Sequence, residues 1–417
     1  MFRLARTTPG VTRELQGRSI CEPRSTATYA TRERVSHMCD HARRALVLRR
    51  LPPTLAWLWV VSIAWSLALT RAQADALSSA LFIRTDSDET LVVSPRAHLQ
   101  SDIVSETTLD ATYTADVWTS ASVDIRASAS LPVTEQRNEL DVALQHEFSD
   151  LTLSGSYRYS VENDYLSHGV SAGSSLDLAE NNSTIALHGY AYFDTVGRVG
   201  QPSFSKALNT IGLRTSLTQV LSASLLAQVT YEIGHLDGFQ ASPYRMVGFG
   251  GTGFGCQEAP LCRPEHVPDL RTRHAAAILL RYALTDSWSI GGNYRFYLDD
   301  WHLSSHMLLA DVGWMLGDFS RLSLRYRFYV QSGVSFYQSV YREPPPPGAY
   351  TTRDREQSPM HDHHVGLEWE QMFPVDEHAG HFALRASVGA GKYVYNRFVG
   401  LKSVNALELT FALSLER

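Results

Sequence analysis

From about residue 90 onward, apolar and polar side chains alternate in runs of ten residues or more. Leu151, Leu153, Gly155, Tyr157 and Tyr159 interleave with Thr152, Ser154, Ser156, Arg158 and Ser160. Leu322, Leu324, Tyr326, Phe328 and Val330 do the same with Arg321, Ser323, Arg325, Arg327 and Gln331. The pattern returns over Leu140, Val142, Leu144, His146 and Phe148, over Ala121, Val123, Ile125 and Ala127, and over Leu407, Leu409, Phe411, Leu413 and Leu415. A period of two belongs to an extended strand, whose successive side chains point to opposite faces. Soluble strands usually run about five or six residues, whereas a strand crossing a bilayer at a ~45° tilt needs about 9–11. Hydrocarbon cannot satisfy the backbone groups of an open sheet edge, so such strands have to close on themselves. The chain therefore reads as an all-β, transmembrane, antiparallel up-and-down β-barrel. A mean hydropathy of −0.17 agrees, because lipid-facing and lumen-facing residues cancel.

The punctuation between strands is asymmetric. Small polar pairs flanked by large apolar residues mark short turns at Phe148-Ser149-Asp150-Leu151, Leu217-Thr218-Gln219-Val220-Leu221, Leu284-Thr285-Asp286-Ser287-Trp288 and Leu316-Gly317-Asp318-Phe319. Between them run long connections at 236–270 and 334–360; the second holds Pro344, Pro345, Pro346 and Pro347, which cannot donate to a ladder. Short turns at one end and long loops at the other are a membrane-barrel trait. Counting strands from 90 to 415 gives about 16, with 14 the alternative because the first pair is weak, and an even number puts both ends of the barrel on one side.

Aromatic spacing adds a height. Tyr157 and Tyr159, Tyr294 and Phe296, and Tyr326 and Phe328 follow the turn residues Ser149, Asp286 and Asp318 by eight and ten positions. Eight residues at ~3.3 Å per residue, tilted ~40°, climb about 20 Å, close to the height of a lipid-facing band. Phe148, Trp288 and Phe319 mark its lower edge, giving two aromatic girdles.

Charges fall on the polar phase, because an arginine facing lipid at the midplane costs ~2–4 kcal/mol. Arg295, Arg321, Arg325, Arg327, Glu368 and Glu370 are the expected lumen-lining charges. They allow either a hydrated pore or an interior closed by arginine–carboxylate pairs. Lys392 and His306 fall on the apolar phase near strand ends, where a polar tip reaches the interface cheaply.

Residues 1–74 differ in kind, with 12 Arg and 4 acidic residues, which leaves 25 basic and 39 acidic residues in 75–417. Arg43, Arg44, Arg49 and Arg50 precede an apolar run from Leu55 to Leu69, and Ala72-Gln73-Ala74 follows. A basic region, a short apolar run and a small-x-small site make a cleavable secretory signal. The expected organisation is an extension plus signal peptide over 1–74 and a barrel over 75–417. The acidic remainder offers no basic face to nucleic acid. Cys256 and Cys262, the only cysteines beyond residue 74, lie in a Gly/Pro-rich loop, and an exported chain meets an oxidising compartment, so a local disulfide is expected.

Catalytic and metal chemistry find little support. His361-Asp362-His363-His364 is the most metal-like cluster, but it follows the proline run and reads as a solvated loop end. Asp299, Asp300, His302 and His306 have no nucleophile motif beside them. The run from Gly250 to Gly255 lacks the Gly-Lys-Ser/Thr ending of a phosphate loop. No enzyme and no cofactor is expected.

Tyr294-Arg295-Phe296-Tyr297-Leu298-Asp299-Asp300-Trp301 followed by Ser304-Ser305-His306, and Tyr326-Arg327-Phe328-Tyr329-Val330-Gln331-Ser332 followed by Phe336-Tyr337, resemble the family called domain of unknown function 3570. Asp86 to Pro95 and Asp116 to Ser122 resemble its N-terminal pattern, and Asn182 to Tyr190 a central one. The resemblance implies a barrel in the outer membrane of a Gram-negative bacterium, and no particular activity. Its partners would be outer-membrane lipid, lipopolysaccharide and the export and barrel-assembly machinery. Two functions stay open: a channel or transporter for small solutes, and a non-conducting structural or surface-interaction barrel.

Overall fold

The computed structural model describes residues 75–120, 133–251, 255–376 and 380–416. The expected signal peptide and the alternation from Ala121 to Ala127 lie outside them. The described strands, in chain order, are β1 (Ala76–Asp86), β2 (Thr90–Val104), β3 (Thr107–Ser120), β4 (Val133–Phe148), β5 (Leu151–Val161), β6 (Tyr165–Leu178), β7 (Ser183–Val196), β8 (Lys206–Ser222) and β9 (Leu225–Gly238). A small hairpin of β10 (Met246–Phe249) and β11 (Leu261–Pro264) stands apart. Then come β12 (Leu270–Ala283), β13 (Trp288–Asp299), β14 (Ser304–Met315), β15 (Ser320–Gln331), β16 (Met360–Asp376), β17 (Gly380–Tyr395) and β18 (Ser403–Glu416).

All but β10 and β11 join, each to its chain neighbour, in one closed antiparallel barrel of 16 strands. β1 completes the ring by pairing with both β2 and β18. Ala76 lies opposite Glu416, so both ends of the barrel sit on one rim. That rim carries the short turns, at 105–106, 149–150, 179–182, 223–224, 284–287 and 316–319. At 149–150, Ser149 takes a φ of 50°, the left-handed conformation that lets a two-residue turn match the twist of its strands. The other rim carries the long connections 239–269 and 332–359.

One expected turn is misplaced. Leu217 to Leu221 belongs to β8, and the chain reverses at 223–224 instead. Thr218 and Gln219 are polar because they belong to the wall: Gln228 Nε2 donates to Thr218 Oγ1 at 2.8 Å. A polar pair between apolar residues is ambiguous between turn and strand, and here a register irregularity between Val220 and Ser222 carries the strand onward.

The apolar phase forms the outer face. Trp288 and Trp314 stack at 5.2 Å near the short-turn rim, and the cross-strand register continues through Leu322 to Trp369. Toward the other rim a second arrangement repeats four times. Tyr157, Tyr231, Tyr294 and Tyr326 each lie 2.7–2.8 Å from Nδ1 of a histidine on the next barrel strand: His168, His274, His306 and His363. Tyr113 makes the same diagonal contact with Asn138 at 2.8 Å. Tyrosine and histidine present an apolar body and a polar tip, which suits the edge of an apolar band.

Buried apolar residues gather at the long-loop rim. Val267, Trp301, Leu303 and Val334 form one cluster, packed by Phe336 and Tyr337. Met360, Tyr395, Phe398 and Val404 form another, and Val247, Phe249 and Tyr341 a third. Each side chain so buried is worth about 1.5–3 kcal/mol against exposure to water. The long loops thus carry a core of their own.

Candidate functional site

The polar phase faces the lumen, and many of its charges are paired along the wall. Between adjacent strands Arg158 meets Asp141 at 3.0 Å, Arg214 meets Glu232 at 2.9 Å, Arg271 meets Asp299 at 2.5 Å, Arg327 meets Asp362 at 2.9 Å and Arg385 meets Glu370 at 2.5 Å. Arg137 pairs with Asp116 in the same way.

Other contacts reach one strand further, and three hydrogen-bonded or ionic ones each pass over a glycine. Arg281 on β12 meets Asp311 on β14 at 2.5 Å, and a Cβ on Gly291 of β13 would collide with both side chains. Tyr190 on β7 donates to Glu232 on β9 at 3.0 Å, and a Cβ on Gly212 of β8 would overlap the tyrosine ring. His364 on β16 lies 3.0 Å from Glu408 on β18, above Gly389 of β17. The missing side chain lets a long neighbour lie flat on the sheet rather than stand into the lumen. All these contacts join first or second neighbours in the ring. Sixteen strands ~4.8 Å apart at a ~40° tilt close a ring roughly 30 Å across, more than side chains from the wall fill.

The expected lumen residues take up unequal positions. Arg327 and Glu370 are paired as above, Glu370 with Arg385 rather than with Arg321, its register partner on β15. Arg295, Arg321, Arg325 and Glu368 have no ion-pair partner among the described residues. The histidine cluster is strand rather than loop end, because β16 begins at Met360 directly after the loop. Strand alternation then splits it. His361 and His363 face outward, Asp362 and His364 inward, and among the described residues no group of three or more His, Cys, Asp or Glu is placed to hold a metal ion. Asp299 is tied up by Arg271, by the Tyr297 hydroxyl at 2.8 Å and by the Leu303 N–H at 3.0 Å. His306 points the other way, to Tyr294. Cys256 and Cys262 have Cα atoms 5.5 Å apart and are joined through sulfur, a separation that a disulfide spans. Cys262 lies on β11, so this loop holds a short hairpin that its lack of alternation did not suggest.

Over the mouth, loops from separate parts of the ring are bonded together. Arg245 of 239–269 meets Asp354 of 332–359 at 3.0 Å and Glu265 at 3.5 Å. His266 and Thr351 exchange backbone hydrogen bonds at 3.1 and 2.6 Å, and the Thr352 hydroxyl donates to Glu265. Tyr244 donates to Asp164 in the β5–β6 connection and accepts the Val199 N–H of the β7–β8 connection at 2.8 Å. Arg355 pairs with Asp88 in the β1–β2 turn and lies over the Tyr395 ring at 5.4 Å. The connections β1–β2, β5–β6, β9–β12 and β15–β16 are rooted four strands apart around the ring, so their bonds lie across its mouth. Burial pushes the Glu265 carboxyl above its usual range, against the opposing pull of Arg245 and the Thr352 hydroxyl. Burial and the bond to Asp164 push the Tyr244 phenol up to about 12.

Beneath this roof lies a cavity of about 370 Å³, lined by Arg271, Arg295, Tyr297, Tyr329 and Gln331, with Glu356 and Gln357 of the loop above. Gln331 Nε2 donates to the carbonyls of Glu356 and Ser358 at 2.7 and 2.8 Å, which fixes the loop over it. Neither the roof nor the glycine-spanning contacts follow from alternation, but the repeated Tyr-Arg-aromatic triplets at 157–159, 294–296 and 326–328 signal the outer tyrosine row.

A family model described as "Protein of unknown function (DUF3570)" matches residues 123–209 and 201–379. The chain belongs to this family. The DUF3570 match takes in the central motif and both aromatic motifs, while Asp86 to Pro95 and Asp116 to Ser122 lie before it. No curated protein matches the chain in sequence. Among solved structures, the barrel is similar to a bacterial polysaccharide outer membrane secretin at 7% identity and a TM-score of 0.48, covering 82% of this chain and 98% of that one. It is also similar to OprD of Pseudomonas aeruginosa, at 9% identity and a TM-score of 0.43, covering 82% and 94%. The toluene transporter TodX of Pseudomonas putida matches at 11% identity and a TM-score of 0.38, covering 84% and 91%.

Proposed function

We propose that this DUF3570 protein is a channel of the Gram-negative outer membrane, passing small polar solutes through a water-filled lumen narrowed at one mouth by its own loops. The observation that carries this reading is the direction of the lumen contacts: Arg281–Asp311, Arg158–Asp141 and the rest run along the wall. A barrel of 16 strands or more is the size that leaves an aqueous channel when nothing fills it. In this reading residues 1–74 direct export, the assembly machinery inserts the barrel, and the long-loop rim faces outside. The tyrosine–histidine row then meets the lipopolysaccharide leaflet. Vesicles loaded with an impermeant polymer and carrying the purified protein should swell in isotonic arabinose. Swelling no faster than protein-free vesicles would oppose the reading.

The second reading, a non-conducting barrel that presents its loops to a partner, draws on the independent core of the roof, notably the Val247, Phe249 and Tyr341 cluster. It requires intact protein that swells no vesicles.

A further inference from the structure

The cavity under the roof is lined by more arginine than carboxylate. Arg271 and Arg295 line it from β12 and β13, with Glu356 of the loop above, while Arg273 stands behind the lining on β12, beside Arg271, Tyr297 and Asp299. Asp299 is taken by Arg271 at 2.5 Å. Arg295 has no ion-pair partner among the described residues, and Nε of Arg273 is buried with no hydrogen-bond acceptor. Three of the neutral groups are already committed, and Gln357 keeps a free amide with its Oε1 buried and unbonded. The Tyr297 hydroxyl donates to Asp299, Tyr329 donates to Gln331 Oε1 at 2.6 Å, and the Gln331 amide is held by the loop. The charged donors left open at this level are guanidinium N–H groups, beside the neutral Gln357 amide. A guanidinium fork matches a carboxylate or phosphate edge in shape and charge, and a partly dehydrated site strengthens the attraction. At a share of ~30 Å³ per water, the cavity holds about a dozen waters or one solute of that bulk.

We propose that this cavity is a binding site for small oxygen-rich anions bearing a carboxylate or a phosphate, with Arg295 as its anion-binding side chain and Arg273 adding positive charge from behind the lining. As a step of permeation it rests on the channel reading; as a binding site it does not. The test is intrinsic tryptophan fluorescence of the full folded protein in detergent, titrated with sodium gluconate, sodium phosphate or uncharged sorbitol at constant ionic strength. At least one anion should give a saturable change and sorbitol none, and the anion that binds identifies the source chemistry. The double variant Arg273→Gln/Arg295→Gln should weaken that anion at least tenfold, while Arg273→Lys/Arg295→Lys retains part of the affinity. Should the double variant fail to fold, Arg295→Gln alone, which breaks no ion pair, should still raise Kd several-fold. No saturable response to either anion, or equal affinity in native and Gln variants, overturns the proposal. Anion binding by a protein that swells no vesicles would uphold the site and reject the channel.

Discussion

Arg281 and Asp311 lie 2.5 Å apart across β13, over the bare backbone of Gly291. Gly292, its neighbour on the outer face, has nothing within 4 Å of where a Cβ would stand. The two positions make a matched pair. Gly291→Ala should destabilise the barrel by about 1–3 kcal/mol through overpacking and displacement of the pair into the lumen. Gly292→Ala should be neutral or stabilising by up to about 1 kcal/mol, because it only restricts the unfolded chain. Urea unfolding in lipid vesicles compares them, and equal effects would mean that Gly291 faces no side chain.

On the outer face, the Tyr326 hydroxyl and His363 Nδ1 are 2.7 Å apart. Tyr326→Phe keeps the ring and removes the hydrogen bond, at an expected loss of about 0.5–1.5 kcal/mol. The same change at Tyr157 or Tyr294 should cost a similar amount, since the diagonal geometry is the same. A series in which only one of the three is affected would show that the row is not a repeated device.

Most of the barrel was legible in the sequence because period-two alternation is enforced along the whole length of a spanning strand. Tyr326, Phe328 and Arg327 announce their faces without any knowledge of their neighbours. Contacts set by closure were not legible. Nothing local to Asp88 says that Arg355 will reach it, and nothing local to Gly291 says that an arginine and an aspartate from flanking strands will lie over it. Thr218-Gln219 misled because a turn and a strand end draw on the same polar residues: Thr218 faces the lumen, while Gln219 bonds Ser183 and the Asn182 carbonyl at the rim. The histidine cluster misled because a proline run sets where a loop is but not where the next strand begins.

Asp88 and Arg355 hold the roof to the far side of the ring. Both side chains are largely buried, so Arg355→Ala takes the arginine away from a buried carboxylate, a loss of up to about 3–5 kcal/mol borne by the roof. Global unfolding should change much less, because the barrel ladder does not include this contact. Limited proteolysis of the folded protein should cut near Pro344 to Pro347 faster in the variant. Unchanged cleavage would mean that the roof is anchored elsewhere.

Acid should tighten the roof. The Glu265 carboxyl titrates above its unfolded value of 4.5, so between the two values the folded state holds the extra proton. Stability from this group is therefore full below about 4.5 and is lost as pH rises through the folded value. Arg245, Thr352 and Asp354 face the same carboxyl. Backbone hydrogen exchange at Thr351 and Thr352, corrected for intrinsic rate, should be better protected at pH 5 than at pH 8. Glu265→Gln should remove much of the difference, and protection that rises with pH would reverse the assignment.

The central claim is an aqueous path through the barrel, and single-molecule current across a planar lipid bilayer reads it directly. Folded protein, verified by its heat-shifted mobility on gels, should give discrete and reproducible conductance steps. Arg355→Ala, with its roof loosened, should give larger ones. Correctly inserted native protein and Arg355→Ala that both leave the bilayer at its background conductance would contradict the account.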